Sequence, residues 1–459
     1  MIKYFTIEDL LKHYLQKKFH ILKKKLTSFQ IIIMGFSSVI LLGTLLLMLP
    51  ISSKTGGFTS FADALFTSTS AVCVTGLIVF DTATYWSLFG QFVIMLLIEI
   101  GGMGVITVAA SFAMIAGRKI SLMQRSTMQE AIAAPKVGGI VRLTIFVIKT
   151  TLMIELLGAV AMSPVFCRDF GIKGLWMALF HSVSAFCNAG FDLMGVKAPF
   201  SSLTFYAGEP LINFPIMLLI IVGGIGFLTW DDIRANRFHI HKYRMQSKVI
   251  LSTTAILILV PALYFYFFEF SELGLKERIL SSLFQSVTPR TAGFNTADLT
   301  SMSEAGQFIT IILMLIGGSP GSTAGGMKTT TIAVLFAIAI ATFRRREDAN
   351  FFGRRMNGDV IKNAATVFLM YITLCVSGGL IISIVEDLPI LTCLFEAASA
   401  VGTVGLSLGI TPGLGVLSRL ILISLMFIGR VGGLTLIFAA LSGSHHHISK
   451  LPREKITVG

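Results

Sequence analysis

Residues 70–77 of this chain read SAVCVTGL, a short apolar stretch that ends near a glycine. Related stretches follow as SAFCNAGF, TPRTAGF and SAVGTVGL, at residues 184–191, 288–294 and 399–406. Their glycines are 114, 103 and 112 residues apart, so the chain contains an internal repeat of about 110 residues. Each copy follows an apolar run too short to cross a bilayer, which takes about 20 residues. The pattern therefore predicts four re-entrant loops.

The composition indicates a polytopic membrane protein. The 459 residues are 54% hydrophobic and 13% charged, whereas soluble domains carry about 25% charged residues. The net charge of +13 is concentrated in the termini and in the loops between spans, where 26 of the 37 lysines and arginines lie. This distribution disfavours nucleic-acid binding. By the positive-inside rule, it places both termini and these loops in the cytoplasm.

Each repeat is predicted to contain a span, a half-length helix, the glycine loop and a second span. The expected fold class is all-α, with eight transmembrane helices and four re-entrant pore helices around one pseudo-fourfold pore. Residues 5–26 mix apolar and basic positions and predict a surface helix at the inner leaflet. The predicted segments are a cytoplasmic N-terminal segment 1–28, repeat 1 at 29–115, a cytoplasmic loop 116–143, repeat 2 at 144–230, a cytoplasmic loop 231–248, repeat 3 at 249–342, a cytoplasmic loop 343–364, repeat 4 at 365–442 and a cytoplasmic tail 443–459.

The glycine loops have the properties expected of a cation pathway. Non-helical backbone at membrane depth must be buried in protein or line a watery cavity, because unsatisfied peptide groups cost several kcal/mol each. Carbonyl oxygens that point at one axis replace the hydration shell of an ion, and glycine permits the dihedral angles and close approach this needs. The negative C-terminal end of each short helix also favours a cation. The predicted filter residues are Val74, Thr75, Gly76, Asn188, Ala189, Gly190, Thr291, Ala292, Gly293, Thr403, Val404 and Gly405.

The third loop departs from the common pattern. In the other three copies a phenylalanine lies ten residues before the glycine, but Phe284 lies only nine before Gly293. The third copy also carries Pro289 and Arg290 in its turn. We expect this loop to have a different local shape.

Glycine clusters recur in the second span of every repeat, at residues 101–104, 223–226, 317–318 and 429–433. Close helix packing explains the first, second and fourth about as well as a functional role does. In the third repeat, residues 317–329 are so rich in Gly, Ser and Thr around a proline that they predict a mid-membrane break. We interpret it as a flexible obstruction under the filter that includes the residues Gly317, Gly318, Ser319, Pro320, Gly321, Gly325, Gly326 and Lys328.

Two charged residues of these spans have alternative interpretations. Lys328, near the end of residues 317–329, could also be a lysine that snorkels to the inner interface. Arg430 lies inside an otherwise apolar span, where a charge costs roughly 2.5–3.5 kcal/mol, so we expect it to face the cavity and to repel cations until it is shielded or moved. Its alternative is a structural ion pair with Glu99 or another acid.

The four loops and the segment GGSPGSTAGGMKT at residues 317–329 resemble the Trk/Ktr/HKT superfamily of potassium transporters. The resemblance covers about residues 29–442 and is closest to KtrB, the membrane subunit of bacterial Ktr uptake systems. It implies K⁺ at the loop carbonyls, a gating role for residues 317–329 and a pore-facing Arg430. Potassium-selective members carry glycine in all four loops, whereas some sodium-permeable plant relatives carry serine in the first.

The same resemblance implies a physiological setting. K⁺ would be taken up across the plasma membrane, which is the bacterial inner membrane, by Na⁺-dependent symport. No residue pattern locates a Na⁺ site. The chain would form a homodimer on a KtrA-type cytosolic RCK ring that binds ATP or ADP. It would bind no cofactor of its own, with K⁺ and Na⁺ as transported or coupling ions.

Other function classes remain open at the level of the sequence. A non-selective monovalent cation or ammonium channel would use the same architecture. A secondary transporter of organic anions built on broken helices would use Arg430 in a cationic pocket. An enzyme is disfavoured, because His181 and Glu99 are isolated in the sequence. The five cysteines show no metal-binding spacing, and the three histidines at residues 445–447 are a weak metal-binding candidate.

Overall fold

Helices form nearly all of the regular structure in the computed structural model, which describes residues 27–115, 120–132, 138–346 and 348–432. The predicted surface helix at residues 5–26 and the tail at 443–459 lie outside these residues. The strands of the described part form one short hairpin, in which the two-residue strand β1 (Asn350–Phe351) pairs antiparallel with the two-residue strand β2 (Arg354–Arg355).

Repeat 1 starts with α1 (Ser28–Met48), and its first turn is fixed by a capping box. The Thr27 hydroxyl accepts a hydrogen bond from the Gln30 N–H, and the Gln30 side chain accepts one from the Thr27 N–H. The repeat continues with α2 (Phe61–Val72), α3 (Thr82–Tyr85), α4 (Leu88–Met103) and α5 (Val105–Ile115). A further helix, α6 (Leu122–Ile132), lies where the sequence predicted only a loop.

The other repeats follow the same order. Repeat 2 contains α7 (Ile140–Phe170), α8 (Lys173–Phe186), α9 (Pro210–Gly224) and α10 (Phe227–Asn236). Repeat 3 contains α11 (Met245–Tyr264) with a π-helical end (Phe265–Glu269), then α12 (Leu275–Val287), α13 (Glu304–Leu315) and α14 (Thr329–Phe343). Repeat 4 contains α15 (Gly358–Glu386), α16 (Ile390–Gly402) and α17 (Val416–Val431). Single 3₁₀ turns cover Pro50–Ser52, Met194–Val196, Thr204–Tyr206, Ile240–Lys242, Leu299–Ser301 and Thr411–Gly413.

The second spans of repeats 1 and 2 are broken helices, although the sequence predicted each as one span. The axes of α4 and α5 meet at 96°, and so do those of α9 and α10. The breaks fall at Gly104 and Gly226, whose φ angles are +86° and +91°. Glycine adopts positive φ without steric cost, so the helix ends there with little strain. In repeat 3 the corresponding break is the irregular stretch at residues 316–328, which we call the intramembrane segment.

The lengths and compositions of the helices are those of a multi-pass membrane protein. Among the described residues, α1, α7, α15 and α11 with its π-helical end are long and apolar enough to cross a membrane. Counting each bent pair as one span raises the number to six, which is fewer than the eight predicted. Many large apolar side chains on these helices are exposed, including Leu41, Leu45, Leu152 and Leu156, as expected for surfaces that contact lipid.

The core lies around the four short helices α2, α8, α12 and α16. The phenylalanine that lies nine or ten residues before each ring glycine is completely or almost completely buried: Phe66, Phe180, Phe284 and Phe395. Each short helix ends just before its glycine loop. It packs against the first span of its own repeat and also contacts the second span of the preceding repeat, with repeat 4 preceding repeat 1. This arrangement directs the C-terminal ends of the short helices and their loops into the centre of the protein.

Candidate functional site

The glycines of the four loops form a closed ring. A Cβ atom built on Gly190 would lie 2.8 Å from both the carbonyl oxygen of Ala292 and the Cα of Gly293. This is closer than side chains approach, so any residue but glycine would force the neighbouring loop to shift. The same overlap, with the carbonyl oxygen that precedes the next glycine, recurs around the ring from Gly76 to Ala189, from Gly293 to Val404 and from Gly405 to Thr75.

The backbone of each loop alternates in handedness. All four ring glycines have φ between +69° and +93°. The residue two positions earlier is also left-handed, with φ of +57° at Val74, +60° at Asn188, +68° at Thr291 and +52° at Thr403. Such alternation turns successive peptide groups toward one side of the chain, rather than to opposite sides as in a strand.

Three of these left-handed residues are β-branched. Val74, Thr291 and Thr403 hold a conformation that costs such side chains about 1–3 kcal/mol each, and it persists only where the surroundings enforce it. Strain of this kind concentrates at functional sites. The loops are therefore held in a shape that local preference opposes.

Loops 1 and 4 are fastened to their short helices in the same way. The Thr75 N–H donates to the Ser70 carbonyl at 2.8 Å, and the Val404 N–H donates to the Ser399 carbonyl at 2.8 Å. The ring glycine itself donates to the serine hydroxyl, at 3.1 Å in loop 1 and 3.0 Å in loop 4. A serine in the last turn of each short helix thus fixes its loop.

Loop 3 is built differently, as its shorter spacing indicates. The Ala292 N–H donates to the carbonyl of Thr288, four residues back at 2.9 Å, where loops 1, 2 and 4 bond five residues back. The Arg290 side chain in its turn is buried, and its Nη2 lies 3.3 Å from the Thr254 hydroxyl. No acidic residue of the described part pairs with it.

Some polar side chains of the ring are committed to structure, and others have no partner. The Asn188 amide donates to the Arg290 carbonyl at 3.3 Å, which ties loop 2 to loop 3. In contrast, the hydroxyl oxygens of Thr75, Thr291 and Thr403 are buried and have no hydrogen-bond partner within the described residues. Buried polar atoms are nearly always satisfied, so these oxygens are candidate ligand atoms.

The intramembrane segment forms a closed loop between α13 and α14. A parallel bridge joins Ile316 to Met327, and the Gly317 N–H donates to the Met327 carbonyl at 2.8 Å. The Thr329 N–H, at the start of α14, donates to the Gly318 carbonyl at 3.0 Å. The two ends of the segment are therefore pinned together, and the residues between them bulge into the protein.

The bulge contacts the loops of repeats 2 and 4. The Thr323 hydroxyl donates to the Phe186 carbonyl at 3.0 Å and lies 3.2 Å from the Asn188 side-chain oxygen. A Cβ on Gly326 would lie 2.8 Å from the Gly402 carbonyl oxygen, and one on Gly325 would overlap the side chain of Thr403. The segment thus lies directly against the ring.

The other side of the bulge rests on repeat 2 and on α6. The Ser319 N–H donates to the Gly224 carbonyl at 2.9 Å, and the Phe227 N–H donates to the Gly321 carbonyl at 2.7 Å. A Cβ on Gly321 would overlap the carbonyl of Ile132. The adjacent carbonyl oxygen of Pro320 would lie 2.7 Å from a Cβ on Gly226, so the segment meets the bend between α9 and α10.

Lys328 folds back onto the intramembrane segment. Its ammonium group donates to the carbonyls of Ala324 at 2.9 Å and Gly325 at 3.2 Å. Its contacts are therefore with the segment, and the alternative of a lysine snorkelling to the inner interface does not describe them.

Arg430 joins three parts of the protein through backbone carbonyls. Its guanidinium donates to Thr323 of the intramembrane segment, to Gly101, and to Gly102 at 3.1 Å. It forms no ion pair with Glu99 or with any other acid of the described residues, so the predicted structural alternative is wrong. The positive charge instead connects repeat 4 to repeat 1 and to the segment below the ring.

A buried cluster that the sequence did not predict lies behind loop 2. The Cys187 thiol lies 3.5 Å from a carboxylate oxygen of Glu99 and 3.9 Å from one of Glu155. The two glutamates come from α4 and α7, and neither has a basic partner in the described part of the chain. A glutamate inside an apolar helix was the available signal, but the spacing in the sequence could not show that the two meet.

Similarity to known cation transporters extends over nearly the whole chain. The TrkH family, described as "Cation transport protein", matches residues 3–448. The potassium/sodium uptake protein NtpJ of Enterococcus hirae is 42% identical over 95% of this chain and 98% of its own. The Ktr system potassium uptake protein B of Bacillus subtilis is 40% identical over 89% of this chain and 92% of its own.

A solved structure shows the same fold. The potassium transporter TrkH from Vibrio parahaemolyticus matches with a TM-score of 0.71 at 21% identity, over 89% of this chain and 84% of that one. The predicted superfamily is confirmed by these matches, and a transport family also bears out the prediction that the chain is not an enzyme. The chain therefore belongs to the TrkH family of cation transport proteins.

Proposed function

We propose that this chain takes up K⁺ across the bacterial plasma membrane through the ring of four glycine loops. The observation that carries the proposal is the ring itself, in which each glycine abuts the carbonyl oxygen before the next glycine. Backbone oxygens at such a constriction replace the hydration shell of an ion. The filter is formed by the three residues that end on each ring glycine.

The unpartnered threonine oxygens support an ion site at the ring. Thr75, Thr291 and Thr403 each contribute a buried hydroxyl oxygen without a hydrogen-bond donor in the described residues. K⁺ is a hard cation and takes oxygen ligands, so these atoms add to the carbonyls. Four unequal loops within one chain then make a pseudo-fourfold filter.

The names of the relatives bear on which ions move. The Enterococcus hirae relative is named for potassium and sodium uptake, and the Bacillus subtilis relative for potassium uptake. We assign K⁺ as the transported ion and Na⁺ as the coupling ion of a symport. The membrane potential supplies about 2.3 kcal/mol per charge per 100 mV for inward movement.

The proposed membrane layout has eight spans and four re-entrant pore helices, with both termini in the cytoplasm. Each bent or interrupted helix pair then serves as the second span of its repeat. The basic residues support this orientation, because they lie mainly in the segments between repeats. The segment bounds remain those predicted from the sequence.

The intramembrane segment is the proposed gate. It lies against the loops of repeats 2 and 4, and Thr323 hydrogen-bonds the end of α8. Arg430 donates to the Thr323 carbonyl and Lys328 to the Ala324 carbonyl, so both hold the segment and place positive charge beside it. A segment that moved away from Arg430 would open the space beneath the ring.

The proposed assembly is a homodimer with a KtrA-type RCK ring that binds ATP or ADP. Its support is that the Bacillus subtilis relative is named as one protein of a Ktr system. The RCK ring would act on the cytoplasmic side, where α6 already contacts the intramembrane segment at Ile132.

An organic-anion transporter is less well supported. Arg430, the cation that such a pocket would need, already donates to three backbone carbonyls.

The experiment that tests the K⁺ uptake proposal is complementation of a bacterium deficient in K⁺ uptake, with and without Na⁺ and a KtrA-type partner. Growth at low K⁺ with measured K⁺ uptake is expected, and Na⁺ or ammonium flux without K⁺ selectivity would contradict it.

A further inference from the structure

A cavity of about 410 Å³ lies between the start of α7 and α10. Three arginines line it, Arg142 from α7, Arg234 from α10 and Arg244 just before α11. Apolar side chains of the same helices, including Phe146 and Leu228, form the rest of the wall. The cavity therefore combines a basic part with an apolar part.

Two of the three arginines carry charge that no acid offsets. Arg244 is paired with Asp231 and Asp232, each at 3.2 Å. Arg142 and Arg234 have no ion-pair or hydrogen-bond partner in the described part of the chain. Arg234 lies over the ring of Phe146, with its guanidinium carbon 4.7 Å from the ring centre, and is thereby held against the cavity wall.

The N-terminus of α7 adds to the positive potential. Its cap is Gly139, which offers no side-chain acceptor for the first N–H groups of the helix. The helix dipole places partial positive charge at the same end. An anionic group in the cavity would meet two guanidinium groups and these free amides together.

The position of the cavity matches the headgroup level of a bilayer. α7 has 31 residues and is about 46 Å long at 1.5 Å per residue, whereas the hydrocarbon core is about 30 Å thick. The helix therefore extends beyond the core, and in the proposed orientation its first turn with Arg142 is the part at the cytoplasmic surface. The location depends on the proposed cytoplasmic orientation, and not on which ion is transported.

From these features we propose that the cavity binds an anionic phospholipid of the inner leaflet. The phosphate of its headgroup would lie between Arg142 and Arg234 at the N-terminus of α7. An acyl chain would follow the apolar wall at Leu143 and Phe146. Basic pockets between helices at the cytoplasmic surface bind such headgroups, and an apolar wall is what a soluble phosphate would not need.

Lipid in this cavity would also contact a helix that reaches the proposed gate. α10 carries Arg234 and Leu228, and the N–H of its first residue, Phe227, donates to Gly321 of the intramembrane segment at 2.7 Å. A lipid bound in the cavity would therefore stabilise the position of α10, one of the helices that contact the intramembrane segment.

The test is native mass spectrometry of the purified full chain with phosphatidylglycerol or phosphatidylcholine of equal acyl chains. The wild type should bind phosphatidylglycerol at least tenfold more tightly. The double variant Arg142→Gln/Arg234→Gln should lose that preference. A matched control, Arg125→Gln/Lys242→Gln, removes two exposed cytoplasmic charges outside the cavity and should keep it.

Two further measurements make the outcome decisive. Asp231→Asn removes the one acidic side chain among the described residues that line the cavity. It should tighten phosphatidylglycerol binding, a gain that misfolding cannot produce. Glycerol 3-phosphate, which has the phosphate but no acyl chain, should not displace the lipid at millimolar concentration. Equal binding of the two lipids, equal loss in the control, or displacement by glycerol 3-phosphate would each overturn the proposal.

Discussion

The Nη1 atom of Arg419 at the start of α17 lies 2.6 Å from a carboxylate oxygen of Asp63 on α2, so an ion pair joins the last repeat to the first. The two side chains are only 19% and 17% exposed. Exposed pairs contribute about 0–1 kcal/mol, whereas breaking a buried pair costs about 3–5 kcal/mol. This pair lies between the two cases and closes the ring of repeats.

We expect Asp63→Asn and Arg419→Gln each to destabilise the protein by about 1–3 kcal/mol, because each leaves a largely buried charge unpaired. The measurement is the free energy of unfolding in a double-mutant cycle, which isolates the coupling. The exposed pair of Lys362 and Asp359 serves as the control and should show almost no coupling. Strictly additive effects at Asp63 and Arg419 would contradict the prediction.

Gly76→Ser should lower the ratio of K⁺ to Na⁺ uptake. The position has φ of +92°, and a Cβ there would overlap the carbonyl of Ala189, so loop 1 or loop 2 must shift. The shift changes the distances between ring oxygens, which set the fit to a dehydrated ion. The measurement is isotope uptake of both ions in cells with equal expression.

The control for this variant is Gly57→Ser in the outer loop, where only the Thr55 hydroxyl lies near the added carbon, at 3.7 Å. It should leave the uptake ratio unchanged. An unchanged ratio in Gly76→Ser itself would remove the filter assignment.

Loosening the intramembrane segment should raise ion flux. Thr323→Val keeps the shape of the side chain but removes its hydrogen bonds to Phe186 and Asn188, worth about 0.5–1.5 kcal/mol each. Flux should rise by roughly two- to tenfold, and deletion within residues 317–329 should raise it further. Ser322→Ala is the matched control, because its buried hydroxyl has no partner among the described residues. Flux no higher than in the wild type, at equal expression, would count against a gate.

Arg430→Ala should speed permeation, because it removes both a positive charge and the hydrogen bond that holds Thr323 of the intramembrane segment. Arg430→Lys separates the two effects, since it keeps the charge but cannot donate to three carbonyls at once. If charge forms the barrier, the lysine variant should conduct like the wild type. An alanine variant that misfolds, or whose flux per folded molecule does not rise, would instead assign Arg430 a structural role.

Features that depend on one residue's own chemistry were visible in the sequence. Glycine in a short apolar loop signals backbone angles closed to other residues, and the ring glycines all have positive φ. The shorter spacing before Gly293 likewise indicated the different bonding of loop 3. The Gly-rich composition of residues 317–329 predicted a helix break, and the irregular stretch covers nearly the same positions.

Features that depend on distant contacts were not visible. The glycine clusters at residues 101–104 and 223–226 are compatible in sequence with close packing or with a bend. The first cluster serves both purposes, since Gly101 packs on Val72 and Gly104 ends the helix. α6 was missed because its mixed sequence lacks a strong apolar periodicity. Arg419 with Asp63, and Glu99 with Glu155 and Cys187, meet only after helices far apart in the chain have packed.

The inequality of the four loops has an evolutionary consequence. In a pore built from identical subunits, one codon change alters every wall at once. Here the residues two positions before the glycines are Val74, Asn188, Thr291 and Thr403, and a single mutation reaches only one of them. Ion preference in such a chain can therefore change one loop at a time. Selection acts on each change while the other three loops stay the same.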